Sequence, residues 1–365
     1  MKRSMQLEIL FRMIGLKIKT FFNKRSKLSP RYQTRTINSK YLENNTMGCP
    51  TKRELRIYLP PGYFKSDEKS YPVIYLLHGY NSGPGSWTFT SRKEIHISGA
   101  KMLSLAPRSI RKRVQFKRFS LFYEDFDKLI KKGEIPPFLL VQPDASIGIL
   151  DAKGRPSLKS SLYVKSDKAG DFPSYILEEI IPFVDTNYRT IPKREARAVV
   201  GGSLGGYGVL NLSILDPSKF KVIAASCPTE FDSSMRDMEF VSPIQAALEG
   251  QEAAVKGGKN ALKGTINHTD MILGSDWTEH MLRTKVEKYP ERLKDSAIFL
   301  SCEVDDEYGI ELTTRKLHDV MEAQGIPHEF VVGNDPRNFI SPHTLGSFSQ
   351  ILNALKFCMA HLVKK

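Results

Sequence analysis

The chain has 365 residues, of which 41% are hydrophobic and 26% charged, and its formal net charge is +14. That length suits one large α/β domain with insertions, and the balance excludes collagen-like, low-complexity and disordered polymers. The charge is local: residues 1–40 carry 11 Lys/Arg against Glu8 alone and residues 92–118 carry 9 against Glu94 alone, which leaves the rest at −4. Basic character is therefore an attachment to the main domain. No helix-turn-helix, zinc-finger or RNA-recognition signature accompanies it, so no nucleic-acid partner is expected. Cys49, Cys227, Cys302 and Cys358 form no C-x-x-C pair, which speaks against zinc, thioredoxin-like and disulfide-scaffold readings and for a reducing compartment.

The first segment is expected to be a helix, with Leu7, Leu10, Phe11, Ile14, Ile18, Phe21 and Phe22 on one 3.6-period face. Arg12 interrupts its apolar stretch and no small-residue cleavage site follows, against a secretory signal peptide. The stretch is also too short to span a bilayer. Two readings of it stand level. Residues 1–37 form a basic amphipathic segment that touches an anionic membrane peripherally, or this face docks on the domain (translation starting at Met5, Met13 or Met47 belongs with the second). The chain is otherwise expected to be cytoplasmic, with the main domain at 38–365.

From residue 38 strands and helices alternate. Glu54–Pro60 has period 2 and reads as an antiparallel edge strand. Tyr71–Leu77 is a continuous apolar run, as in a strand covered on both faces. Phe138–Gln142, Ala196–Val200, Val222–Ala225, Ala297–Ser301 and Glu329–Val332 are further strands. Helices are expected at Tyr123–Lys132, Ser174–Asn187, Tyr207–Asp216, Glu311–Gln324 and Leu345–Leu362. This alternation implies a mostly parallel twisted sheet flanked by helices, an α/β class. Residues 92–118 form a basic insertion, and residues 228–290 a cap-like insertion of the kind that covers a binding site.

Gly201-Gly202-Ser203-Leu204-Gly205-Gly206 lies between the strand Ala196–Val200 and the following helix. This is G-x-S-x-G in the strand–turn–helix setting that its chemistry requires. Small neighbours allow the tight turn, and the serine hydroxyl then sits at a helix N-terminus, where developing negative charge is favoured. A serine hydroxyl needs a base, and the base an orienting carboxylate. Asp305 and Asp306 follow the strand Ala297–Ser301 at the carboxyl edge of the sheet, where ligands bind. Of the histidines beyond them, His318 lies inside a helix, His328 starts a strand and His361 lies near the terminus. His343 falls in the loop before the last helix and is the candidate base. Backbone N–H donors for an oxyanion are expected from Leu204 and from Tyr80 in the turn His78-Gly79-Tyr80. The His78 side chain reads as a structural hydrogen-bonding group. No cofactor and no metal ion is expected.

On these residues the chain resembles the putative-esterase branch of the α/β hydrolases, which includes feruloyl esterases, esterase D-type enzymes and mycolyltransferases. The matching stretches are Arg56–Tyr63, Tyr71–Tyr80, Lys132–Asp144, Glu178–Arg189, Arg197–Val209 and the Asp306 and His343 regions. The resemblance implies the α/β-hydrolase fold, a small-molecule ester substrate, a Ser203–Asp306–His343 triad and an oxyanion hole from the Tyr80 and Leu204 N–H groups. It also prefers Asp306 to Asp305. Leu204 stands where Met is usual and Glu303 where Gly is usual, while Asn334–Ile340 lengthens the loop before His343. Acyl transfer to an alcohol and a catalytically silent binding module are the rival functions. A dehydrogenase is excluded, because no acidic residue ends a following strand about 20 residues on.

Overall fold

The computed structural model describes residues 30–65, 68–80, 82–86, 88–89, 121–150, 154, 157, 159–231, 268–304, 306, 308–333 and 342–362. The strands of its main sheet are β1 (Tyr32–Asn38), β2 (Lys52–Tyr58), β3 (Val73–Leu77), β4 (Leu139–Pro143), β5 (Arg197–Gly202), β6 (Val222–Ser226), β7 (Ala297–Glu303) and β8 (Glu329–Gly333). They lie side by side in the order β1-β2-β4-β3-β5-β6-β7-β8. β2 pairs antiparallel with both β1 and β4, and every pair from β4 to β8 is parallel.

The longer helices are α1 (Tyr123–Lys131), α2 (consecutive stretches Phe172–Ser174, Tyr175–Ile180 and Ile181–Asn187), α3 (Leu204–Leu215), α4 (Leu282–Lys288), α5 (Ile310–Ala323) and α6 (Pro342–His361). Strand periodicity sorts their contacts. Ile74, Leu76, Ala198, Val200, Val222 and Ala224 face one way, against Phe126 of α1 and Ile351, Leu355 and Cys358 of α6. Val73, Tyr75, Leu77, Val199, Ile223 and Ala225 face the other way, against α2, α3 and Leu317 of α5. β3 to β6 are buried at every position, which is why they read as unbroken apolar runs rather than alternating ones.

Two expectations need correction. The sheet starts at Tyr32, ahead of the expected domain start at residue 38, and β2 is not an edge strand because β1 covers it. The sequence Tyr-Gln-Thr-Arg-Thr-Ile-Asn is mostly exposed, so β1 lacks the apolar face that marks a strand. Contacts ahead of it are specific. Arg31 donates to both carboxylate oxygens of Asp127 on α1, at 2.9 and 2.5 Å, and to Leu59 O at 3.0 Å. Tyr58 OH donates to the same carboxylate at 2.7 Å, and the rings of Tyr58 and Tyr123 stack at 5.1 Å. The paired carboxylate holds the Arg31 pKa well above its ordinary value.

The basic insertion at 92–118, the helix expected within residues 1–29 and residues 232–267 of the cap-like insertion lie outside the described residues. Among the described residues no helix is long and apolar enough to cross a membrane.

A chain shortened to begin at Pro30 should keep the urea stability of the sheet, whereas one beginning at Ile37 should lose about 3 kcal/mol or more. The shorter chain lacks most of β1 and takes both guanidinium bonds from the buried Asp127 carboxylate, a loss of that order for a broken buried pair. Equal denaturation midpoints for the two would show that β1 is not integral to the sheet.

Candidate active site

Ser203 joins β5 to α3 with φ +58° and ψ −126°. A non-glycine residue in that region is strained, and such strain persists only where the surroundings over-determine it. Here they do. Ser203 N–H donates to Ser226 O of β6 at 2.9 Å, and its carbonyl accepts from Gly206 N at 2.9 Å and Thr229 N at 3.2 Å. A Cβ on Gly201 would lie 2.4 Å from Gly205 O, and one on Gly205 would lie 2.5 Å from Leu77 O and 2.8 Å from His78 O. One on Gly206 would meet Ser226 O at 3.0 Å. The glycines let α3 start against the ends of β3, β5 and β6 at once. α3 is buried from Leu204 through Ile214, so its N-terminal amides and dipole are aimed by packing.

The turn after β3 is clamped. His78 Nδ1–H donates to Gly79 O at 2.9 Å, and Ser82 Oγ–H donates to the same oxygen at 2.7 Å. Across a planar trans peptide the carbonyl and the following N–H point in opposite directions. Holding Gly79 O on one side therefore holds Tyr80 N–H on the other. Ala145 N–H donates to His78 Nε2 at 2.9 Å, so the ring carries its proton on Nδ1. Tyr163 OH donates to His78 O at 2.7 Å. The expected structural role of the His78 side chain is thus given a precise form. Burial pushes the His78 pKa below the ordinary imidazole value, against a weaker opposing pull from Asp144, which ion-pairs with the buried Arg53 at 3.0 Å.

Both described ends of the cap-like insertion meet this region. Phe231 packs on Tyr207 of α3 with ring centroids 4.4 Å apart, and Trp277 meets Phe231 edge-on at 6.3 Å. His268 is buried, donates from Nε2 to Ser160 O at 2.7 Å and meets the Tyr80 ring edge-on at 5.6 Å. Sequence reasoning missed Tyr163, Ser82 and His268. The partners of Tyr163 and His268 lie 85 and 108 residues away in the chain, and no spacing rule reports such pairs.

Asp306 follows β7 and is buried, 8% exposed. Its Oδ1 accepts from Tyr308 N at 2.9 Å and Ile310 N at 3.4 Å, capping the start of α5 and fixing the plane of the carboxylate. Asp305 lies outside the described residues. α6 begins at Pro342, so His343 is its second residue and not a loop residue. Proline suits a first helical position, whereas the apolar pattern that marks the helix in sequence starts only at Leu345. The side chain of His343 lies outside the described residues. Seven residues on, Gln350 donates to the buried Glu303 at the end of β7 at 2.8 Å. Glu303 has room because Gly333 is its partner in register, where a Cβ would collide with both side chains. Ser203, Tyr80, Leu204 and Asp306 thus share the carboxyl edge of the parallel strands.

The Putative esterase family matches residues 45–237, more than half of the chain and including Tyr80, Ser203 and Leu204. The chain belongs to this family. Its fold is of the α/β-hydrolase type. A relative in Xylanibacter ruminicola, an endo-1,4-beta-xylanase/feruloyl esterase, is 26% identical over 167 residues, which is 45% of this chain but only 18% of that protein. In fold the chain is similar to a ferulic acid esterase, with TM-score 0.58 and 21% identity over 91% of this chain and 98% of the other. It is also similar to an S-formylglutathione hydrolase from Agrobacterium tumefaciens, with TM-score 0.51 and 15% identity over 91% and 95% of the two chains.

Burial lowers the pKa of both His78 and His268. The unfolded chain therefore takes up protons that the folded esterase refuses as pH drops below about 6.5, and stability falls with it. Urea midpoints should decrease from about pH 7.5 to about pH 5, and His78→Asn, which does not titrate, should reduce that decrease. A midpoint independent of pH would contradict the neutral buried rings.

Proposed function

We propose that the esterase cleaves carboxylic esters through an acyl-enzyme on Ser203. Ser203 Oγ attacks the ester carbonyl carbon while His343 takes its proton, and Asp306 orients the imidazole. The tetrahedral oxyanion is held by the N–H groups of Tyr80 and Leu204, and collapse expels the alcohol, protonated by His343. Water, activated by the same histidine, then releases the acid. The observation that carries this reading is the strained backbone of Ser203 at the head of a buried helix, maintained by Gly201 and Gly205, which admit no side chain. It is supported by the clamp on Gly79 O, which holds an N–H in place before any substrate arrives; pre-set donors of this kind need no reorganisation during reaction. The capped, buried carboxylate of Asp306 supports its choice over Asp305.

For substrate we propose an ester of a hydroxycinnamic acid such as ferulic acid, on the likeness to the feruloyl esterase relative and to the ferulic acid esterase fold. The test is a panel of chromogenic esters from acetyl to palmitoyl plus feruloyl esters, run with added alcohol acceptors to detect acyl transfer. A fluorophosphonate should label Ser203, and Ser203→Ala should lose both label and activity. Asp306→Asn should lower turnover by about 10⁴, as expected when the imidazole is left in the wrong tautomer, and Asp305→Asn by much less. Activity persisting in pure Ser203→Ala would end the mechanism. Equal losses at the two aspartates would shift the acid by one residue.

For location we propose a cytoplasmic enzyme whose basic N-terminal segment gives peripheral contact with anionic membrane, each basic residue there contributing about 1 kcal/mol. The full chain should bind anionic liposomes in a salt-sensitive way and a chain beginning at Pro30 much less, with equal hydrolysis of a small soluble ester. Equal liposome binding by both would remove the membrane contact.

A further inference from the structure

The second half of α5 and the turn after it bring together three potential metal ligands that the ester chemistry leaves unused. His318 and Glu322 are four residues apart on α5 and so share one face of the helix. α5 ends in a reversal. Gly325, at φ +62°, donates to Glu322 O at 2.9 Å, and Ile326 N–H donates to Met321 O at 2.9 Å. This pair of bonds is a Schellman cap, whose usual hydrophobic contact is supplied by the buried Ile326 and Met321. The reversal carries His328 back over the helix, just ahead of β8.

His328 arrives in a defined state. Its Nδ1 lies 2.8 Å from Ile326 O, and a carbonyl oxygen only accepts, so Nδ1 carries the proton and Nε2 presents a lone pair. That lone pair faces His318 Nδ1 at 2.8 Å. The side chain of His328 is fully buried, and Glu322 Oε1 is 3.8 Å from its Nδ1. The His318 ring is held in turn by stacking on Phe330 of β8, with centroids 4.2 Å apart. One donor atom from each of His318, Glu322 and His328 lies within 4.8 Å of the others.

We infer that His318, Glu322 and His328 form a binding site for a divalent transition-metal ion of the zinc type. Two imidazoles with a carboxylate suit zinc and its neighbours, and are too rich in nitrogen for calcium or magnesium. The His328 Nδ1–H···O=C bond is the outer contact that usually fixes the tautomer of a ligating histidine. A tetrahedral ion with bonds of about 2.0–2.1 Å sets its nitrogen ligands about 3.3 Å apart, so the two rings need to separate by about half an ångström and tilt until their lone pairs converge, while the exposed Glu322 carboxylate swings from the Nδ1 side of His328 toward the ion. His318 meanwhile moves its proton from Nδ1 to Nε2, so that both lone pairs face the ion. Water fills the fourth position. The site lies at the amino end of β8, the opposite edge of the sheet from Ser203, and it would tie α5 to β8 as a structural clip.

The full-length esterase, stripped of metal with a chelator, should bind one equivalent of Co²⁺ with the visible absorption of a tetrahedral ion, and Zn²⁺ should displace it. Zn²⁺ should raise the melting temperature of the wild type. Glu322→Gln, a change at an exposed side chain, should weaken Co²⁺ binding at least tenfold, and His318→Gln should abolish both the absorption and the Zn²⁺-dependent shift. Both variants should hydrolyse ester at the wild-type rate, so the outcome is independent of the Ser203 mechanism. No uptake by the wild type at micromolar metal would overturn the site and leave the pair as a plain His–His hydrogen bond. The same would follow if the wild type and both variants bound Co²⁺ with equal affinity and the same spectrum.

Discussion

The closeness of backbone to backbone at the head of α3 is the constraint on which the rest depends. Gly205 lies so near Leu77 O and His78 O, and Gly201 so near Gly205 O, that no side chain larger than hydrogen fits between them. The turn at Ser203 is consequently held in a conformation that a serine would otherwise abandon. Three strands contribute to it: β5 leads in, β6 supplies the acceptor for Ser203 N–H, and β3 supplies the carbonyls against which the helix starts. The strain is offset by the packing of α3, buried from Leu204 through Ile214, against β3, β5 and β6, which are buried at every position.

A second layer converts that packing into directed polar groups. His78 leaves the end of β3, turns back on its own main chain and bonds the carbonyl of the next residue, while Ser82 bonds the same oxygen. Tyr163 secures the carbonyl of His78 itself, and Asn211 on α3 in turn donates to Tyr163 O at 2.8 Å. The turn after β3 and helix α3 are therefore joined through one buried network. Networks of this kind are costly when half-satisfied and rigid when complete. Burial lowers the pKa of the His78 ring, and a second ring proton would also leave Ala145 N–H facing a donor.

Legibility in the sequence followed burial. β3 to β6 were readable because both of their faces are covered, and the alternation of strands and helices gave the fold class before any contact was known. β1 was not readable: its residues are mostly exposed, and its pairing with β2 is specified by main-chain bonds that composition does not encode. The start of α6 was displaced for a related reason. Pro342, His343 and Thr344 carry no apolar periodicity, although the helix includes them. Glu303, which departs from the usual glycine, is explained only by Gly333 beside it and Gln350 above it.

By itself the sequence determined where the strand–turn–helix around Ser203 falls, because G-x-S-x-G between a strand and a helix is a local signal. It likewise determined the class of sheet, because period and burial are local properties of each strand. Tertiary structure alone decided which groups support those residues. Tyr163, Glu303 and Gln350 act across chain separations that no local pattern spans. His318 and His328 read in sequence as an unremarkable helical residue and a strand start, and they face each other only because Gly325 takes a left-handed turn that folds the chain back on its own helix.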